Sequence, residues 1–362
     1  MYNDDKKIEL KSLYSVRSIF GYAVLAIMLV AIFVVRSSNY LGEYYAIHIY
    51  PFIAKPLSWI SSFFPFSLTE IVSILLIFTV IVYIITIIFG YRHRLVQTVY
   101  FLKFLIKLYI WFYIAWGLNY FRDDFYTRTG VQKAEYSAQE FKQFADTFAL
   151  RLNQSYTPYS LIDKAAVVHD INLAYESLND RYSIKTGIAE PWEHLEPKES
   201  LMSSLMSKVA IAGYMNPMFI EINLNKDLSA VEFPFSYAHE AAHALGITDE
   251  GEANLLAFMA CTSSEMPEVR YSGYFGVLRY VLSDAKKNSS SDQEFAEYIK
   301  TIDSEIIDQY RENIKKWTER YNKKMGEIQS KAYDKYLKSN NIKSGINNYS
   351  QVVELMISMQ RL

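Results

Sequence analysis

The chemistry of this chain is concentrated between Ser236 and Asn254, which reads Ser-Tyr-Ala-His-Glu-Ala-Ala-His-Ala-Leu-Gly-Ile-Thr-Asp-Glu-Gly-Glu-Ala-Asn. His239 and His243 stand four apart, with Glu240 directly after the first, in the HExxH pattern. On a helix, residues four apart share a face, so both imidazoles can reach one Zn²⁺. Glu240 lies about 100° round the same helix, within reach of a water at the metal. The expected chemistry is amide hydrolysis: zinc acidifies the water and polarises the carbonyl, and Glu240 acts as general base. Two plainer readings compete. The helix can simply bury two histidines, or it can hold one structural zinc per chain in a non-catalytic membrane or envelope protein.

A zinc that keeps one position open needs a third protein ligand. Three acids follow within nine residues of His243: Asp249, Glu250 and Glu252. The His-x-x-Gly-x-x-Asp249 spacing resembles a metzincin variant. Glu250-Gly-Glu-Ala-Asn254 resembles the second helix of gluzincin metallopeptidases, in which the residue at Asn254 would orient a ligating histidine. Glu250 is the expected ligand, Asp249 the next choice and Glu252 the third. Glu252 stands two residues from Glu250, on roughly the opposite face of a helix. Tyr271, Tyr274, Arg279 and Tyr280 follow as candidate donors to an oxyanion, against the simpler expectation of aromatic packing and a surface arginine. Cys261 is expected to be a buried small residue. His48 and His93 fall in membrane loops, His169 sits beside Asp170, and His194 lies among prolines.

These residues need elements to hold them. Pro234 and Ser236 set up a helix start, with Ser236 the candidate N-cap, and Gly246 stands where a left-handed helix stop belongs. Met218 to Leu224 has apolar and β-branched residues and reads as a short strand, expected at a sheet edge where it can pair with an extended peptide. Glu221 on it is expected to be solvated. Ser137-x-x-Glu140 is a capping box followed by Phe141, Phe144, Phe148 and Leu152 at helical spacing. Leu161 to Leu178 reads as a further helix, Pro191 and Pro197 as a loop, and Asp292 to about Leu337 as charged helix after the Ser289–Ser291 break.

The whole chain is 362 residues, 51% hydrophobic, with net charge −2 and a mean hydropathy of −0.00. That average hides two unlike parts. Residues 1–120 carry ten Lys/Arg and five Asp/Glu, and the remainder 27 and 34. Apolar stretches at 18–35, 71–89 and about 99–118 are long enough to cross a bilayer. The third contains Lys103 and Lys107, which can snorkel toward an interface. The first stretch lacks a clear cleavage site and reads as an uncleaved anchor. Lys6, Lys7, Lys11 and Arg17 precede it, the loop from Ser37 to Glu70 has only Lys55, and Arg92 and Arg94 follow the second stretch. The positive-inside rule then runs inside, outside, inside, and puts residues after 119 outside the cytoplasm if the third stretch crosses. The fold class expected is a mainly α membrane protein: a three-helix anchor over 1–120, then a mostly helical α+β zincin-like domain over 121–362. One cysteine excludes a disulfide framework, and near-neutral charge gives no case for nucleic acid. The expected partners are the lipid bilayer and a peptide or protein substrate.

Several stretches also resemble one family. They are Trp116-Gly-Leu-Asn-Tyr120, Pro197-Lys198, the His239–Asn254 motif, Tyr271-Ser-Gly-Tyr274, Tyr336-Leu-Lys338, and Tyr349 with Val352-Val353. Together they resemble the bacterial membrane proteins known as domain of unknown function 3810. The resemblance implies a zincin-like peptidase domain behind N-terminal spans in a bacterial cell membrane. It also implies a recurring glutamate at Glu250, with Asp249 a departure. It implies no substrate.

Overall fold

The computed structural model describes residues 16–89, 94–158 and 161–360. Lys6, Lys7, Lys11, Arg92 and His93, and the side chain of Arg17, lie outside the described residues. The described chain is mostly helical, with one small sheet. In order, the helices are α1 Val16–Arg36, α2 Asn39–His48, α3 Tyr50–Ser62, α4 Leu68–Phe89, α5 Arg94–Ala115, α6 Phe125–Thr129, α7 Ala138–Ser155 and α8 Lys164–Tyr182. Strand β1 Pro197–Glu199, helix α9 Ser203–Lys208, and strands β2 Gly213–Asn216 and β3 Glu221–Leu224 follow. The remaining helices are α10 Phe233–Ala244, α11 Glu250–Thr262, α12 Pro267–Asn288, α13 Asp292–Lys300, α14 Ser304–Arg320, α15 Lys323–Ser339 and α16 Val352–Met359. Two 3-10 helices, Gly117–Phe121 and Gly345–Gln351, complete the description.

Among the described residues, three helices are long and apolar enough to cross a membrane: Ser18–Arg36, Leu68–Phe89 and Arg94–Ala115. The third begins and ends earlier than its apolar pattern suggested. It stops at Ala115, and Trp116 to Leu118 pass into the 3-10 helix. The Lys103 ammonium sits 4.0 Å from the centre of the Tyr22 ring of α1, a cation–π contact between neighbouring helices.

The stretch between the first two apolar helices is helical, not a loop. Ser38 Oγ caps α2 by accepting from the Leu41 N–H at 3.4 Å, and Pro51 fits the first turn of α3. Tyr50 on α3 is wholly buried and donates its hydroxyl to the Ala244 carbonyl at 2.6 Å. Replacing Tyr50 with phenylalanine is expected to destabilise the folded chain by about 1–3 kcal/mol, because the buried carbonyl loses its donor. Thermal unfolding of the purified chain in detergent measures it.

Two buried carboxylates tie α4 to the sheet. Glu221 is 2% exposed and pairs with Lys198 Nζ at 2.5 Å. It also accepts from the backbone N–H of Leu68 (3.0 Å) and Thr69 (2.8 Å), the first turn of α4. The expectation of a solvated Glu221 is therefore overturned: free N–H groups at a helix start attract a buried carboxylate. Glu70, in that same turn, accepts from the Leu201 N–H at 2.8 Å and the Tyr214 hydroxyl at 2.7 Å. At the other helix ends, Arg122 beyond α5 pairs with Glu43 beyond α1, and Tyr113 near the end of α5 donates to Asn340. The end of α1, the start of α4 and the end of α5 thus meet one polar body.

The sheet order is β1-β3-β2, with β1 parallel to β3 and β2 antiparallel to it. The strand read from Met218 to Leu224 shortens to Glu221–Leu224 and occupies the middle of the sheet. It cannot offer an edge to a peptide, and β2 is the edge beside α10. Pro197, expected in a loop, opens β1.

The other sequence readings fare unevenly. The Ser137 capping box is present, and Phe141, Phe144, Phe148 and Leu152 are buried. The helix read from Leu161 begins at Lys164, after an Asp163 cap. The charged stretch after 292 divides into α13, α14 and α15, with helix starts at Asp303 and Asn322. Helix α10 starts at Phe233, so Ser236 lies inside it and is not its N-cap. Pro234 fills the first turn, and the Phe235 N–H finds Ser272 Oγ at 3.0 Å, a capping role taken by a residue 37 positions away.

Candidate metal centre

Helix α10 is clamped along its carbonyl side. Tyr175 donates to the Ala238 carbonyl at 2.7 Å, Trp116 Nε1 to that of His243 at 3.0 Å, and Tyr50 to that of Ala244. Ala238, Ala241, Ala242 and Ala244 are fully buried, so neighbouring helices approach closely. Gly246 adopts φ +101°, a conformation that favours glycine. The Ile247 N–H returns to the Ala242 carbonyl at 3.1 Å and the Gly246 N–H to that of His243 at 3.0 Å, a Schellman stop. The chain then reverses and begins α11 three residues later, directly against α10.

This reversal brings three side chains together. Glu250 Oε2 lies 3.1 Å from His239 Nε2 and 3.2 Å from His243 Nε2, and the two Nε2 atoms are 3.1 Å apart. Among the described residues, His239, His243 and Glu250 form the one group of three or more His, Cys, Asp or Glu side chains close enough to hold a metal ion. The His243 Nδ1–H faces the Ile247 carbonyl at 2.7 Å, which turns Nε2 toward the cluster. The His239 ring lies nearly parallel to Tyr349, centres 6.3 Å apart, and its Nδ1 is buried with no hydrogen-bond partner. The other oxygen of Glu250 accepts from Tyr333. The histidines keep 12% and 10% of their side-chain surface and Glu250 only 3%, so the cluster opens on the histidine side.

The local field favours positive charge. Burial opposes charge on His243, but the Glu250 carboxylate, helped by Glu240 and the Ile247 carbonyl, outweighs it and lifts the ring's pKa to about 9. Burial likewise opposes ionisation of Glu250, and the two histidines overcome it, holding that carboxyl well below its usual range. Glu240 is the contrast. Burial dominates there and raises its pKa, with Glu250 adding to the rise against the histidines and the Met215 backbone. Glu240 packs on β2, where a Cβ added at Gly213 would come 3.0 Å from its Cγ.

The remaining candidates divide by what they touch. Asp249 caps α11, accepting the Glu252 N–H at 2.8 Å, so its carboxylate serves the helix start. Glu252 is buried against Arg128, to which both its oxygens bond. Asn254 gives its amide to the Tyr280 hydroxyl (3.3 Å) and the Tyr349 carbonyl (3.5 Å), while His243 takes its orientation from Ile247. Tyr271 donates to Gln309 at 2.5 Å, and Tyr274 packs edge-on to Phe148 and Phe258. Arg279 bonds the Tyr280 hydroxyl and stacks over its ring. None of these four contacts joins the histidine–glutamate cluster. Its aromatic neighbours include Trp116, edge-on to His243, and Tyr333 and Tyr349, and burial raises both phenols, with Glu250 reinforcing the effect. Tyr333 escaped sequence reading because nothing in its charged helix links it to a motif 83 residues away. Cys261 is buried, as expected.

One family model, described as "Protein of unknown function (DUF3810)", matches residues 45–357. No curated protein and no solved structure matches the chain.

Proposed function

We infer a function from the site itself, because the chain belongs to the DUF3810 family, whose description is a protein of unknown function. The reading is a zinc-dependent peptidase with a zincin-like site, anchored in a bacterial cell membrane by three spans, with its polar body outside the cytoplasm. The observation that carries it is the convergence of two imidazole nitrogens and a carboxylate oxygen at 3.1–3.2 Å, with a buried carboxylate, Glu240, on the same helix.

The donor set fits the ion. Ligands bound tetrahedrally at about 2.0–2.1 Å from zinc stand roughly 3.3 Å apart, close to the spacing seen. With His243 Nδ1–H given to Ile247, its Nε2 lone pair points at Glu250 Oε2 and His239 Nε2, where a cation would meet all three donor atoms. His239, His243 and Glu250 would hold the ion, leaving a position for water or substrate. Zinc so held acidifies a water and polarises a carbonyl.

The chain's own residues supply the remainder. Glu240 accepts the water's proton and delivers it to the leaving amine. Tyr333 keeps Glu250 turned toward the histidines, and Tyr349 fixes the plane of His239. Strand β2 is the sheet edge beside Glu240, the edge at which an extended peptide would add as a further strand. Charge bias supports the outward placement, because the basic loops alternate with a loop holding only Lys55.

The purified full chain is expected to carry about one zinc per molecule. Glu250→Ala is expected to lose it, whereas Asp249→Ala keeps it and costs only about 1 kcal/mol of helix-cap stability. Metal analysis of the two variants decides the ligand; unchanged zinc in Glu250→Ala rejects it. Zinc retention without cleavage of any peptide in a random library favours a structural zinc in a non-catalytic membrane protein.

A further inference from the structure

We propose that the hairpin formed by α2 and α3, residues 39–66, lies in the headgroup interface of the membrane that the three apolar helices cross. Helix α3 is apolar on two opposite faces. Tyr50, Ala54 and Leu57 turn inward and are buried. Phe52, Trp59 and Phe63 recur at helical spacing on the other side and are 80%, 50% and 64% exposed. Tyr40 and Tyr44 on α2 are likewise exposed, at 75% and 50%.

Five exposed aromatic side chains on one short hairpin, with Trp59 packed edge-on to Phe63, are unfavourable in water and match the depth at which aromatic side chains collect in bilayers. The hairpin's charges agree. Of its two, Glu43 turns inward to Arg122, and Lys55 stands exposed, where its stem can lie along lipid and its ammonium reach the phosphates. Continuity selects lipid over a second copy of the chain. The hairpin begins three residues after Arg36 and ends just before Leu68, the adjoining ends of two apolar helices whose spanning windows are 6% and 0% buried within the molecule. One medium therefore covers both surfaces.

The consequence reaches the candidate site through Tyr50, which bonds the carbonyl next after His243. A helix is about 10 Å across with its side chains, so at Tyr50 the thickness of α3 separates its exposed stripe from the end of α10, the helix that carries both histidines. The placement stands whatever the site catalyses. Under the peptidase reading, the polypeptides within its reach are those presented at the bilayer surface.

Phe52→Cys and Phe63→Cys, spin-labelled singly in the full chain, test this in vesicles of phosphatidylethanolamine and phosphatidylglycerol. Buried Cys261 stays in place, and exposed Glu312→Cys on α14 is the reference. Collisions with oxygen are expected to exceed those with a water-soluble nickel chelate at 52 and 63, and the order is expected to reverse at 312. Nickel-dominated collisions at all three positions overturn the proposal. So does protection from both reagents with dipolar coupling between two chains, the signature of a second copy. Should the cysteine variants not fold, headgroup-proximal brominated lipids serve instead. They are expected to quench wild-type tryptophan fluorescence more than that of Trp59→Phe, and equal quenching overturns the placement.

Discussion

Replacing Glu240 with glutamine is expected to abolish peptide cleavage while leaving the bound metal in place. Glutamine has nearly the same size and shape, so it fills the space between α10 and Gly213 of β2 without disturbing either. It cannot accept a proton from water. General-base catalysis contributes about a hundred- to ten-thousand-fold to rate, and kcat should fall by that order. Metal content should not change, because the three converging donor atoms belong to His239, His243 and Glu250. Cleavage of a fluorescent peptide, measured beside metal analysis of the same sample, checks both halves. Equal turnover in wild type and variant sinks the enzymatic reading, and joint loss of metal and turnover would show that Glu240 serves the site's structure.

Arg128→Ala carries the largest expected cost in stability, about 3–5 kcal/mol. Arg128 and Glu252 keep 5% and 4% of their side-chain surface. Burial works against the charge on Arg128, but Glu252 outweighs it and keeps the guanidinium's pKa raised. Removing the arginine leaves a carboxylate buried in the first turn of α11 and takes donors from the Thr186 and Asp123 carbonyls. The double variant Arg128→Met with Glu252→Leu is expected to recover most of the loss, since an apolar pair of similar volume removes the charge that must be compensated. Thermal unfolding of wild type, single and double variants tests this. A single variant as stable as wild type would show that water reaches the pair.

One candidate ligand has a local role. Asp249-x-x-Glu252 has the spacing of a helix N-cap and its partner, and the structure uses Asp249 as the cap. In the sequence reading Asp249 figures only as a ligand, second to Glu250, and its capping role shows once the start of α11 is seen. Ser236 misled for the opposite reason. Its residue type suits an N-cap, but Pro234 lets the helix begin earlier, and a distant serine, Ser272, supplies the missing acceptor. Glu221 misled likewise: an acid on a short strand looks solvated until the start of α4 is laid against it.

Sequence alone determined the features that depend on neighbours a few residues apart. Helical periodicity puts His239 and His243 on one face whatever surrounds them. Apolar runs, the third broken only by Lys103 and Lys107, mark the three spanning candidates, and cap chemistry sets where α7 begins. Tertiary structure decided the rest. It placed Glu250 against both histidines through the reversal at Gly246, brought Tyr333 and Tyr349 to the cluster, buried Glu221, and joined Tyr50 of α3 to the end of α10. The physical reason is one of range. Backbone geometry fixes the relation of residues within one or two turns. Which apolar faces meet, and so which buried charge finds its partner, follows from packing the whole chain at once.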